Sequence, residues 1–347
     1  MSQQPVSQPP MPNQSAPNPP DSALPTGAHH SAPPLPVRGG AHRLGAVPYF
    51  WALAGEPRAW WKTLVSLLSI TLGMFVLGGI LSIPVVVIEM MLGQRGLDDV
   101  GMSPGLLGVS LFSLALYIPM TLLLQRWLYG VRPLSSVAGR FRWKVLLLSF
   151  LPLLAFFAAY LGGTTFLSDE AGEARASTET VLYLAVTLIL IPLQAAGEEY
   201  AFRGFAMRVV TAACRRSRFS VPIAMVVSSA LFAAMHFASD PWLILYYFSF
   251  GIILAFIVHV TGGLEVAIAV HVANNLVSLV VAILLGQSLD MDRSMGTGSP
   301  VMLLMIAVLA LLALVIWLIA RRKPHLRAPM MNRGPSTALP PDARGLR

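Results

Sequence analysis

Charged residues are scarce in this chain of 347 residues: Asp, Glu, Lys and Arg make up 12% of it, whereas 55% is hydrophobic. A soluble domain carries about 25% charged residues, so a water-facing surface over most of the chain is excluded. There is one cysteine, Cys214, which excludes an internal disulfide framework and thiolate metal clusters; it reads as a small helix residue. No Gly-x-Ser-x-Gly elbow occurs in any apolar run, which argues against a serine nucleophile. His-Glu-x-x-His is absent as well, so the familiar zinc-protease helix is missing. The alternation of a membrane β-barrel is not found, nor the paired repeats of secondary transporters. No charged start runs at once into an apolar stretch, so the beginning does not read as a signal peptide.

What is present is apolar sequence in long runs, with a mean hydropathy of +0.68. Runs of at least 17 residues are long enough to cross about 30 Å of hydrocarbon as helix, and helices satisfy their own backbone where no water can. The chain is therefore expected to be an all-α polytopic membrane protein with about eight transmembrane helices. The spans fall at Thr63–Ile88, Gly105–Leu124, Val145–Leu161, Val181–Val210, Val221–Phe237, Leu243–Val260, Val266–Leu285 and Val301–Ala320. The fourth is too long for one crossing and must tilt, break or project from the membrane. Residues 1–47 hold 11 of the 27 prolines and read as a disordered tail. Residues 48–180 form an interfacial segment and the first three spans. A helical core follows over 181–286, the last span over 287–323 and a second tail over 324–347. The aromatic stretch from Tyr49 to Trp61, with Arg58 and Lys62, suits the headgroup region rather than a core.

The net charge of +8 would suggest nucleic acid in a soluble protein. Here it reads as topology, and no nucleic-acid partner is expected. With eight spans and the amino terminus in the cytoplasm, 21 of the 24 Lys and Arg residues fall on the cytoplasmic side. Arg95, Arg175 and Arg293 stay outside. Positive-inside insertion produces such a split, so the protein is expected in the cell membrane with both termini cytoplasmic and lipid as its surroundings.

Ionisable residues at membrane depth are costly and read by default as functional. Three groups qualify. In Glu198-Glu199-Tyr200-Ala201-Phe202-Arg203, residues four apart share a helix face, which places Glu199 to pair with Arg203. Glu198 points elsewhere and is placed to act as a general base. In Phe232-Ala233-Ala234-Met235-His236 a ring and an imidazole lie on one helix face. In His271-Val272-Ala273-Asn274-Asn275, His271 and Asn275 offer two donors to one point, as a developing oxyanion wants. Alone, the second group reads as packing and the third as interhelical hydrogen bonding. Together they gain weight: Glu198 and His236 each lie about 28 Å of helix from the turn at Arg215–Arg218. Glu265, at the turn before the seventh span, is placed to favour a helix amino terminus.

Glu-Glu-x-x-x-Arg, Phe-x-x-x-His and His-x-x-x-Asn on successive late helices resemble the CPBP (ABI) family, which includes the CAAX prenyl endopeptidases and bacteriocin-processing proteins. The resemblance covers about residues 181–286. It implies that Glu198 and His236 activate water, that His271 and Asn275 stabilise the oxyanion, and that Arg203 holds the site through Glu199. It implies cleavage of a membrane-associated peptide or protein, for which the prenylated carboxy-terminal peptide is the best-known target. Family members are often called metalloproteases. With His271 and Asn275 assigned to the oxyanion, the residues left are a poor set for zinc, so a metal-free site is expected and zinc is the alternative. The competing functional reading is a non-catalytic transporter or scaffold that retains the family core.

Overall fold

The computed structural model describes residues 46–47, 49–51, 53, 60–96, 101–131, 141–167, 177–287, 289, 293–323, 327 and 331–332. All eight predicted spans are helical. The first is α1 (Trp60–Met91); the second divides at Leu116 into α2 (Pro104–Ala115) and α3 (Tyr117–Tyr129); the third is α4 (Trp143–Leu167). The fourth is α5 (Thr178–Glu199), which runs through a π-helical segment (Tyr200–Ala206) into α6 (Met207–Ala213). Then follow α7 (Ser220–Ala234), α8 (Pro241–Thr261), α9 (Glu265–Leu284) and α10 (Val301–Arg322).

Seven of these passes are long and apolar enough to cross a membrane among the described residues. Helix α7 is shorter, 15 residues, or about 22 Å against a hydrocarbon thickness of about 30 Å. It stops because the chain turns at Met235–Phe237, where Phe237 takes a φ of 52°. The long fourth pass breaks rather than continues as one α-helix. In its π segment the Met207 N–H reaches back five residues to the Phe202 carbonyl, and π segments inside α-helices are frequent at functional sites.

Helix α9 is the centre of the bundle. Of its most apolar window 61% is buried, against 6% for α1 and 11% for α10. It packs along α4 and α5, α5 packs along α2, and α8 lies between α7 and α10. Leu72, Phe75 and Ile80 of α1 and Leu311 of α10 are exposed, as a lipid-facing surface requires. Trp60, Trp127 and Trp143 stand exposed at helix ends, where aromatic belts form. The protein is a multi-pass helical membrane protein.

One expectation changes at the edges of the bundle. The aromatic stretch divides: Trp60 and Trp61 are exposed, but Tyr49, Phe50, Trp51 and Leu53 are buried. A 3₁₀ turn (Tyr49–Trp51) docks on α6, with Phe50 stacked on His259 and the Arg208 guanidinium 5.3 Å from the Tyr49 ring. Packed rings replace the expected headgroup contact. The disordered tails predicted for 1–47 and 324–347 lie mostly outside the described residues. Within them, however, Ala46–Val47 (β1) pairs antiparallel with Met331–Asn332 (β2), bringing the segments before α1 and after α10 together.

Glu265 opens α9 as expected, and Arg142 clamps it. The Arg142 Nε and Nη2 donate to its two carboxylate oxygens at 3.0 and 2.6 Å, and the Arg142 backbone N–H adds a third bond at 2.9 Å. That fixes the α8–α9 turn to the start of α4, and with it the height of α9.

Candidate active site

Two close approaches bring the polar residues together. At Gly197 a Cβ would stand 2.1 Å from the Leu114 carbonyl oxygen, so α5 can lie against the α2–α3 break only without a side chain there. At Gly251 a Cβ would meet Ser229 at 2.8 Å, which sets α8 directly on α7.

Glu199 and Arg203 pair as their spacing predicts, Nη1 to Oε1 at 2.8 Å, with both side chains fully buried. Arg203 also donates from Nη2 to the Gly251 carbonyl at 3.2 Å. The carboxylate is shared. His271 on α9 places Nδ1 2.8 Å from the same Glu199 Oε1, so one oxygen joins α5, the π segment and α9. Because a carboxylate only accepts, Nδ1 carries the hydrogen. The other ring nitrogen, Nε2, faces Glu198 Oε2 at 3.5 Å. His271 therefore bridges two acids that point different ways from their own helix.

Glu198 has a partner that sequence reasoning missed. Gln194, one turn earlier, donates Nε2 to Glu198 Oε1 at 2.7 Å. Its amide oxygen faces Asn275 Nδ2 at 3.5 Å, and Asn274 donates to Asn275 Oδ1 at 3.0 Å. A polar residue four before a buried acid in an apolar run was the available signal. Glu198 Oε2 accepts no hydrogen bond from the described residues.

His236 lies in the turn after α7 rather than on the helix. Its ring nevertheless sits 4.6 Å from the Phe232 ring, as the motif spacing suggested. Phe232 is the hub: the Arg203 guanidinium lies 4.5 Å over its ring, and His271 meets it edge-on at 6.0 Å. The three motifs thus converge on one buried cluster, with His236 joined to the others through Phe232. His236 Nδ1 lies 2.8 Å from the Phe232 carbonyl. A carbonyl only accepts, so Nδ1 holds the hydrogen and Nε2 keeps a lone pair. Its ring also stacks on Tyr247 of α8 at 3.9 Å.

The donor set does not fit a bound metal. Among the described residues no three His, Cys, Asp or Glu side chains are grouped to hold one. His271 Nδ1 is bound to Glu199 and His236 Nδ1 to a carbonyl, so each ring keeps only Nε2 for another partner.

Comparison with known proteins agrees with the resemblance. Residues 179–277 match the family described as Type II CAAX prenyl endopeptidase Rce1-like. The uncharacterized protein YyaK of Bacillus subtilis (strain 168) is 30% identical over 99 residues, 27% of this chain and 32% of that protein. The similarity thus spans about a third of the relative's length. No solved structure matches. All six predicted site residues fall inside the matched segment, and over residues 179–277 this membrane protein carries a domain of the Rce1-like CAAX endopeptidase family.

Proposed function

We propose that the protein is an intramembrane endopeptidase in which Glu198 and His236 activate a water molecule. The bridging of Glu198 and Glu199 by His271 is the observation that carries this reading. Two buried carboxylates, held apart by one imidazole and tied to an arginine, are costly to maintain at membrane depth without chemistry. Glu198 has one oxygen fixed by Gln194 and the other open to accept a proton. His236, with its hydrogen on Nδ1, presents Nε2 as a second acceptor.

In the reaction, Glu198 takes a proton from water as the oxygen attacks the peptide carbonyl, and His236 orients that water. The C–N bond then breaks, and the proton passes from Glu198 to the leaving amine. Asn275 Nδ2 donates to the oxyanion. His271 Nε2 can join it only as the imidazolium, which Glu199 on the far side of the ring would stabilise. Arg203 acts through Glu199.

The matched family supports one substrate class: a peptide bond near a lipid-modified carboxy terminus, presented from the bilayer. Purified protein should hydrolyse a farnesylated carboxy-terminal peptide or members of a peptide library, and Glu198→Ala should not. Wild-type protein that cleaves none of them, while folded in detergent or nanodiscs, would support a transporter or scaffold instead.

A further inference from the structure

The element that fixes His236 from behind lies outside the matched segment. The loop at Arg293–Gly298, between α9 and α10, is bolted onto the α7–α8 turn. The Ser239 N–H donates to the Arg293 carbonyl at 2.8 Å. Asp240 Oδ2 accepts from the Gly296 N–H at 2.9 Å, while its Oδ1 caps α8 through Trp242 and Leu243. At Gly298 a Cβ would lie 2.3 Å from Asp240 Oδ1, so the loop can sit this close only with glycine there.

From this loop Arg293 extends back to the histidine. Its Nη1 donates to the His236 carbonyl at 2.8 Å, and its guanidinium lies 5.6 Å from the centre of the Tyr247 ring. Tyr247 in turn stacks on the imidazole at 3.9 Å, with the two planes 26° apart. The next residue, Phe237, holds a left-handed φ, a conformation a bulky residue keeps only where its surroundings impose it. His236 is therefore held by its Nδ1 at Phe232, by its ring face at Tyr247 and by its carbonyl at Arg293.

We propose that Arg293 and Tyr247 are positioning residues for His236: the Arg293–Gly298 loop is a strap that fixes the ring plane and leaves Nε2 aimed into the site. This rests on the reading of His236 as part of the hydrolytic pair. A histidine in a turn has no helix to hold it. A displacement of about 1 Å at a catalytic group can cost up to about a hundredfold in rate. Arg293 supplies a charge-assisted bond to the backbone and a cation over the stacked ring, both released together if the loop lifts.

Two measurements separate this proposal from the peptidase reading. The first is the ¹⁵N spectrum of the histidine rings in full-length protein in nanodiscs, with His236 assigned by His236→Gln. Wild type should show His236 as one tautomer with hydrogen on Nδ1. Arg293→Ala and Tyr247→Leu should show exchange between tautomers. Tyr247→Phe, which keeps the stacked ring, should restore the wild-type signal. The second is hydrolysis of the peptide found above: Arg293→Ala should lower kcat roughly tenfold to a hundredfold with KM little changed, and Arg293→Lys should recover part of it. An unchanged His236 signal in folded Arg293→Ala and Tyr247→Leu overturns the positioning role, whatever the activity. A changed signal in a protein that hydrolyses nothing retains the strap and removes the peptidase.

Discussion

His271 Nδ1 stands 2.8 Å from Glu199 Oε1, the oxygen that also receives Arg203 Nη1 at 2.8 Å. The second acid of the pair is therefore a junction between helices, whereas the first keeps one oxygen without a hydrogen bond from the described residues. Glu198→Gln keeps the shape and one amide contact, so it should abolish hydrolysis with little loss of folded protein. Glu199→Gln leaves a buried arginine without its counter-charge and should cost about 3–5 kcal/mol of stability. Denaturant unfolding of the two variants in the same detergent, beside their activities, checks this. Equal stability with only Glu199→Gln inactive would reverse the two roles.

Gly197 tests the packing that brings Glu198 to the site. Glycine to alanine inside a helix ordinarily gains up to about 1 kcal/mol. Here the added Cβ would meet the Leu114 carbonyl oxygen at 2.1 Å and its carbon at 2.9 Å. Backbone on both sides cannot swing away, and overpacking costs about 1–3 kcal/mol or more. The clash wins, so Gly197→Ala should be less stable and less active. Alanine at Gly162, with open space around it, is the control and should be neutral or stabilising.

The eight apolar runs and the pairing of Glu199 with Arg203 were legible because hydropathy and the spacing of four are local properties. The matching depth of Glu198 and His236 was legible because both lie about 28 Å of helix from one turn, whereas His271, only nine residues from the Gly262–Gly263 turn, was not placed at that depth by counting. The shortness of α7 was hidden, since Val221–Phe237 is apolar to its end and only the turn at Phe237 stops the helix. Hidden too was the π segment, whose five-residue reach carries no mark in composition. Burial of Tyr49, Phe50 and Trp51 depends on docking partners more than 150 residues away, such as Arg208 and His259. Arg293 could be read as an external charge but not as a ligand of the His236 carbonyl, 57 positions earlier.

The orientation we propose places the amino-terminal tail in the cytoplasm, on the strength of the 21 to 3 division of basic residues. Pairing of β1 with β2 requires only that the segments flanking the bundle share a side. Reporter fusions after Lys144, Arg218 and Lys323 should read cytoplasmic, and fusions at Asp169 and Asp292 external. An external reading at Arg218 would mean that the fourth run does not cross, which would undo the span count and the depth argument built on it.

Asp240 gives a prediction in pH. Desolvation pushes its carboxyl up, but backbone N–H donors from Gly296, Leu243, Trp242 and Gly298 outweigh that and hold it below the usual carboxylate range. A folded pKa below the unfolded value, ordinarily about 3.9, contributes stability that is complete above that value. The contribution is lost as pH falls through the folded pKa. Asp240→Asn should therefore unfold more easily than wild type at pH 7, and the gap should close in acid. Unfolding midpoints of both proteins between pH 3 and 7 measure it; a gap that stays constant with pH would detach the effect from this carboxyl.

Metal dependence is the last prediction, and ligand availability decides its direction. Catalytic zinc usually takes three protein ligands rich in nitrogen or sulfur. His271 offers Nε2 alone, because Nδ1 is bound to Glu199, and His236 offers Nε2 alone, because Nδ1 is bound to the Phe232 carbonyl. Glu199 is spent on Arg203 and His271, which leaves Glu198 Oε2 as the third donor, and no three such side chains group as a metal site among the described residues. Activity should then survive prolonged chelation. His271→Ala should slow kcat without changing metal content, because it removes a donor to the oxyanion rather than a ligand. Elemental analysis showing one zinc per chain, lost in both His236→Ala and His271→Ala, would reverse this. Glu198 would then be the base beside a zinc-bound water, and His271 would bind through Nε2 while its Nδ1 stays on Glu199.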